Sequence, residues 1–334
     1  MPEIPENTPL FDPLPQSENI AFDPVDLIAC DNCGRKNPPT RFDCIYCANE
    51  LAVEAEDAAS IRHFLRKLEI WESGFNVIIR EKSGTIDIPK IAQLLSMAVD
   101  DLMLILDTGS SLPLARLENE KEASLIQTGL GQLGLKCSLV SDAALAANKP
   151  PVRISGIEFF DDSLAFIDFN TGSLSEVVAE DLVLLVSGVI TASRIDTLET
   201  KRRRANAKLI DESATASDES ILDIFSRKDA NGFRVHLAGF DFSCLGEDKG
   251  LLAAENMQRL AIVLGERAPN ARLVDDYKVV RQALGIVWEV ESRKDSLGLQ
   301  RSAFTGVKFG SVASTSNLNQ FTKYSRLQWN LLNR

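Results

Sequence analysis

The chain has 334 residues, 45% of them hydrophobic and 25% charged, with a formal charge of -12. That length suits about two or three compact domains, and the composition excludes wholesale disorder. The negative charge disfavours non-specific binding to phosphate backbones or anionic membrane surfaces, both of which reward positive potential.

Residues 1–27 read as an acidic extended arm. Residues 1–29 hold six acids, several prolines and no lysine or arginine, a composition that cannot build a packed core. The opening MPEIPENTPLFDPLPQSEN lacks the basic start and apolar centre of a secretory signal. No apolar run reaches the roughly eighteen residues of a membrane helix, so the protein is not expected to span a membrane and a cytoplasmic location is expected.

Residues 28–51 contain two CxxC pairs, Cys30-Asp-Asn-Cys33 and Cys44-Ile-Tyr-Cys47, ten residues apart. Each pair can offer two thiolates from a tight turn, and two such turns complete a tetrahedral site with no ligand position left for water. A structural Zn2+ on Cys30, Cys33, Cys44 and Cys47 is the expectation, favoured over a pair of redox CxxC motifs, which need another strand and helix context. With Gly34, Asn37 and Leu51, the segment resembles bacterial zinc-ribbon domains of pattern CxxCGxxN…CxxCGxxL. It departs at Ala48, where glycine is usual. It also resembles Ran-binding-protein type zinc fingers, but no tryptophan precedes Cys30, and neither the RNA platform nor the ubiquitin dipeptide of that family is present.

A linker helix is expected over 52–72, where Ile61, Phe64, Leu65, Leu68 and Trp71 fall at helical spacing. Residues 73–147 read as a small α/β domain: a strand at 75–79, helical turns marked by Ile88, Ile91, Leu94, Leu95, Ala98, Leu102, Ile105 and Leu106 with a break near Asp100, a loop at Pro113, a helix from Glu118 to Leu133 capped by Gly134, and a strand at 135–140. This order, with PLAR before EKEASLIQTGLGQLGLKCSLV, resembles the C-terminal domain of the ribosomal stalk protein. The resemblance implies a docking module for protein partners.

From Val152 the period becomes two, with strands near 152–159, 164–169 and 182–186 separated by turn signals. A charged insertion is expected over 199–220, followed by strands at 221–226 and 233–238 and helices at 251–264 and 275–284. Residues 150–290 then resemble a pleckstrin-homology-like β-barrel with a C-terminal helix. The last segment, 296–334, has five basic residues and no acid, and reads as a basic polar tail that orders on a partner through Phe304, Phe309, Phe321, Tyr324 and Trp329. The fold class is α+β multidomain.

Catalytic material is sparse. Asp107-Thr-Gly-Ser-Ser111 matches half of an aspartic-peptidase site, whose chemistry needs two carboxylates sharing a proton; the echo at Asn170-Thr-Gly-Ser173 lacks the second carboxylate. The alternatives are therefore a homodimeric hydrolase using Asp107 from each chain, or a helix end at Gly109. His236 with Cys244 is a weak nucleophile pair, since Cys244 and Cys137 sit in apolar runs. Lys201–Arg204 with Lys208 could contact nucleic acid but lies among acids. The reading is a non-enzymatic adaptor or accessory subunit binding other proteins, copies of itself among them, with no nucleic-acid or small-molecule substrate.

Overall fold

The computed structural model describes residues 27–38, 44–49, 51, 67–84, 86–201, 208–302 and 306–332. The chain forms two compact units, Met1–His63 and Phe64–Arg334. In the first, β1 (Ile28–Ala29) pairs antiparallel with β2 (Lys36–Asn37) beside the cysteines. Residues 1–26, and the part of the expected linker helix from 52 to 66, lie outside the described residues. Residues 67–71 are not helical; Leu68 is buried while Trp71 stands in solvent.

The second unit begins with β3 (Phe75–Lys82), α1 (Ile88–Leu94), α2 (Val99–Asp107), β4 (Pro113–Leu117), α3 (Glu120–Gln132) and β5 (Leu135–Ser141). The strands form an antiparallel sheet in the order β4-β3-β5. Local signals place each helix. Asp87 caps α1 by accepting the Lys90 N–H, and Asn119 caps α3 by accepting the Glu122 N–H. Ala123, Ile126 and Leu130 give α3 one buried face, and Gly134 ends it at a φ of 90°. The segment at Pro113 is strand β4 rather than a loop; its backbone pairs with β3 while proline occupies its first position. The short α4 (Asp142–Leu145) follows.

The larger sheet has nine strands: β6 (Val152–Phe159), β7 (Ser163–Asp168), β8 (Leu174–Val178), β9 (Leu182–Lys201), β10 (Lys208–Ser226), β11 (Phe233–His236), β12 (Arg272–Val274), β13 (Glu291–Ser302) and β14 (Gly306–Ser316). Their order is β13-β14-β9-β10-β11-β6-β7-β8, with β12 joined to β9. The path has two ends, so the expected closed barrel is not formed. Three helices complete the unit: α5 (Ala253–Arg267), α6 (Tyr277–Val287) and α7 (Leu318–Leu332).

The inner halves of β9 and β10 are buried on both faces, which explains their continuous apolar runs. Leu184, Val186, Ile221 and Phe225 join one core with β3, β5, α2, α6 and α7. Leu185, Leu222 and Ile224 join a second core with β6, β7 and α5. Between β10 and β11, Arg234 donates to both oxygens of Asp223 at 2.6 and 2.8 Å in a fully enclosed ion pair.

Two expectations are corrected here. The charged stretch 199–220 is not an inserted loop: all but residues 202–207, which lie outside the described residues, belongs to the long hairpin β9–β10. Nor is 296–334 a loosely packed tail. Its described part forms the end of β13, all of β14 and the helix α7, whose Phe321, Tyr324 and Leu327 are wholly buried. Gly188 makes this fit possible, because a Cβ there would lie 2.5 Å from the Phe321 ring. Trp329 is half-buried, and Phe304 and the Phe309 side chain lie outside the described residues. Some polar residues of α7 are buried with partners: Gln320 accepts from the Tyr277 hydroxyl and donates to the Trp288 carbonyl, and Arg326 donates to the Lys149 carbonyl.

Candidate metal centre

The four cysteines sit on two turns built to the same plan. In the first, the Cys30 N–H donates to the Arg35 carbonyl at 3.0 Å and the Gly34 N–H returns to the Cys30 carbonyl at 2.7 Å. In the second, the Cys44 N–H donates to Asn49 O at 2.8 Å and the Ala48 N–H returns to Cys44 O at 2.9 Å. This closure needs a left-handed residue four positions after the leading cysteine. Gly34 takes that place at a φ of 69°, and Ala48 takes the equivalent one at 55°. The alanine that departs from the ribbon pattern thus keeps the turn, at a steric cost of about 1–2 kcal/mol.

Asn37 joins the turns. Its side chain is fully buried, accepts the Ile45 N–H at 3.0 Å and donates to the Arg35 carbonyl at 2.8 Å. Across the outer surface the Arg35 guanidinium lies 4.7 Å from the centre of the Tyr46 ring. Sequence reading placed Asn37 in the motif without giving its purpose; an asparagine between two cysteine turns is the signal, since its amide can serve both backbones at once.

The ligand atoms of Cys30, Cys33, Cys44 and Cys47 all lie within 4.8 Å of one another. Cys30 Sγ is 3.6 Å from Cys47 Sγ, and Cys33 Sγ is 3.5 Å from Cys44 Sγ. These separations are far beyond a disulfide bond of about 2.05 Å. They approach the roughly 3.8 Å edge of a tetrahedron of thiolates, each about 2.3 Å from a central ion. The cluster is thus of a size to hold a metal ion. Burial opposes ionisation of Cys44, but the N–H groups of Tyr46 and Cys47 outweigh it and hold the thiol down to about 6. The Asn49 N–H, followed by the Asn32 amide, lowers Cys47 in the same way. Donors aimed at sulfur favour the thiolate, the form that binds metal.

The other sequence candidates lie apart from this cluster in chemistry. Asp107 is exposed in the last turn of α2, which Thr108 and Gly109 terminate. Asn170–Ser173 forms the β7–β8 turn, where Asp168 accepts the N–H groups of Asn170 and Thr171. Burial lowers His236, whose Nδ1 is 3.4 Å from Glu219. Burial also pushes the Cys137 thiol up to about 12 and Cys244 to about 11, so both are protonated and unreactive at neutral pH. Lys201 and Lys208 stand where β9 ends and β10 begins; residues 202–204 lie outside the described residues.

Sequence reading missed one set of buried polar groups. Asn76 accepts from Trp288 Nε1 at 2.8 Å and donates to Asp142, which also takes the Arg116 guanidinium at 2.7 Å. At the opposite end of α6, Asp276 accepts from the hydroxyls of Ser110 and Tyr324. These bonds tie β3, β4 and α2 to α6 and α7. Among the described residues no helix is long and apolar enough to cross a membrane. No protein-family model, curated protein or solved structure matches the chain.

Proposed function

We propose that this chain is a zinc-stabilised, non-enzymatic adaptor or accessory subunit that binds other proteins inside the cell. The observation that carries this reading is the cluster of four cysteine sulfurs on two closed turns. An all-thiolate, tetrahedral donor set favours zinc among the divalent ions, and four protein ligands leave no position for a substrate or an activated water. Such an ion would fix the shape of a small binding surface. A reducing compartment would keep the thiols available to it.

The segment from β3 to β5 supports the same reading. Its strand and helix order resembles the C-terminal domain of the ribosomal stalk protein, a docking module, and α2 leaves Val99, Met103 and Leu104 partly in solvent. The Cys137 and Cys244 thiols are poor nucleophiles, and Asp107 stands at a helix end with solvent around it.

The test is metal analysis combined with affinity capture. The purified chain is expected to carry about one zinc per molecule, and the Cys30→Ser/Cys44→Ser variant to lose the metal and the co-purifying proteins together. A wild-type chain without zinc or iron would overturn the metal reading. A variant that loses metal yet retains every partner would overturn the role given to the ribbon.

A further inference from the structure

Outside the cores, β13, β14, β9 and β10 run on as a four-stranded antiparallel arm. Its register sets Arg293, Ser314, Arg194 and Thr215 in one row and Lys294, Ala313, Ile195 and Ala214 in the next. Successive rows face opposite sides, so these two rows set charged, hydroxyl and mostly small residues on both faces. Both long edges are open among the described residues. β11 and the residues after it cover β10 over Glu219–Ile224, where the Leu237 N–H donates to the Ser220 carbonyl and the Ala238 N–H to Glu219, and β13 pairs with β14 alone.

An open edge is a template for another strand, and proteins blunt it with charge, proline or a bulge. β13 is blunted by Arg293, Lys294 and Asp295 and by a register shift between Ser296 and Gly298. β10 has none of these over Ser213-Ala-Thr-Ala-Ser217: the run is uncharged, free of proline, in continuous register with β9, and exposed. It is the unprotected edge of the arm.

We propose that the arm is an assembly element in which the β10 edge of one copy pairs with the β13 edge of a second copy. Strand direction permits it. The four strands alternate, so a β13 added beside β10 is antiparallel to it when the second copy keeps the orientation of the first. Charge favours it as well. In sequence, Lys208–Asp218 holds one lysine against Asp211, Glu212 and Asp218, while Glu291–Ser302 holds Arg293, Lys294 and Arg301 against Glu291 and Asp295. Setting Lys294 opposite Asp218, at the end of the open run, brings opposite charges together, and opposite charges across a strand pair attract. Two β10 edges joined about Thr215 would instead set Asp218 against Glu212, like against like. The contact is head-to-tail, so copies build a ring where the rotation closes and a filament where it does not. It stands whether or not the cysteines hold zinc.

The experiment uses the full chain. Mass is measured over a concentration series, and a mixture of 14N- and 15N-labelled copies is treated with a carbodiimide, which joins a lysine to a carboxylate only in contact. Oligomers that grow with concentration and weaken with salt are expected, together with a Lys294–Asp218 cross-link between the two isotopes. Asp218→Lys or Lys294→Asp alone should weaken association about tenfold, and the two together should restore it. Both positions are exposed, so circular dichroism should match the wild type. A monomer at every soluble concentration, cross-links from β13 to residues 1–26 or to a second β13, or single reversals without effect would each overturn the proposal.

Discussion

Among the described residues, three buried apolar side chains, Cys30, Cys44 and Leu51, make the core of the cysteine turns, whereas two large clusters fill the unit from Phe64 to Arg334. A region with so small a core cannot offset its backbone entropy by burial, which is why we propose that bonds to an ion hold it. The larger unit depends on packing, and it pairs most of the polar groups it encloses, Ser325 Oγ and Arg326 Nε excepted. Its ion pair Arg234–Asp223 and the hydrogen bonds of Asn76, Trp288 and Gln320 show how it does so.

The comparison breaks most sharply at the cysteines. A chelator or the Cys44→Ser change should remove the roughly 10–16 kcal/mol that a structural zinc supplies. Hydrogen exchange should then rise throughout 28–51 and stay unchanged over 74–332. Protection lost equally in both units would show that the larger one also leans on the metal. The next largest effect lies inside the larger unit: Arg234→Met leaves Asp223 buried without its partner and should cost about 3–5 kcal/mol in urea unfolding. Adding Asp223→Leu should return most of that loss. A double variant as unstable as the single would mean that packing around the pair, and not its charge, was disturbed.

Trp288→Phe sharpens the same point on a smaller scale. It leaves the Asn76 oxygen without its donor and should lower stability by about 1–3 kcal/mol, read as a shift in the urea midpoint at constant slope. Smallest is Ala48→Gly, which removes the left-handed strain from the second turn. It should tighten metal binding by about 1 kcal/mol, roughly fivefold, in a competition titration against a chelator. An affinity unchanged or weaker would show that Ala48 is relaxed in its turn.

Much of this division was legible in the sequence. The cysteine spacing alone brought four ligands together, and Val77–Ile79, the turns of α1 to α3 and the cap at Gly134 followed from period and turn chemistry. Helix α7 was not legible. Gln320, Thr322, Lys323, Ser325 and Arg326 are buried on it, so burial follows no apolar period that a reader could find. The arm was missed for a related reason: a sheet with small and charged residues on both faces lacks the alternation that marks a half-buried strand. The end of the expected helix 52–72 failed because the spacing of Leu68 and Trp71 fits a helix that residues 67–71 do not form.

Helix α7 has a further consequence, for the order in which the chain can fold. Arg326 bonds to Lys149 and Asn330 to Ala144, across 177 and 186 residues of sequence. Contacts so distant in sequence form late, because the intervening chain must be closed first. At synthesis rates of about 5–20 residues per second, Arg326 emerges roughly 9–35 s after Lys149. Until it does, the faces of β9 and, once made, of α6 that α7 will cover lack that partner. The nascent unit therefore keeps apolar surface uncovered until the last helix arrives.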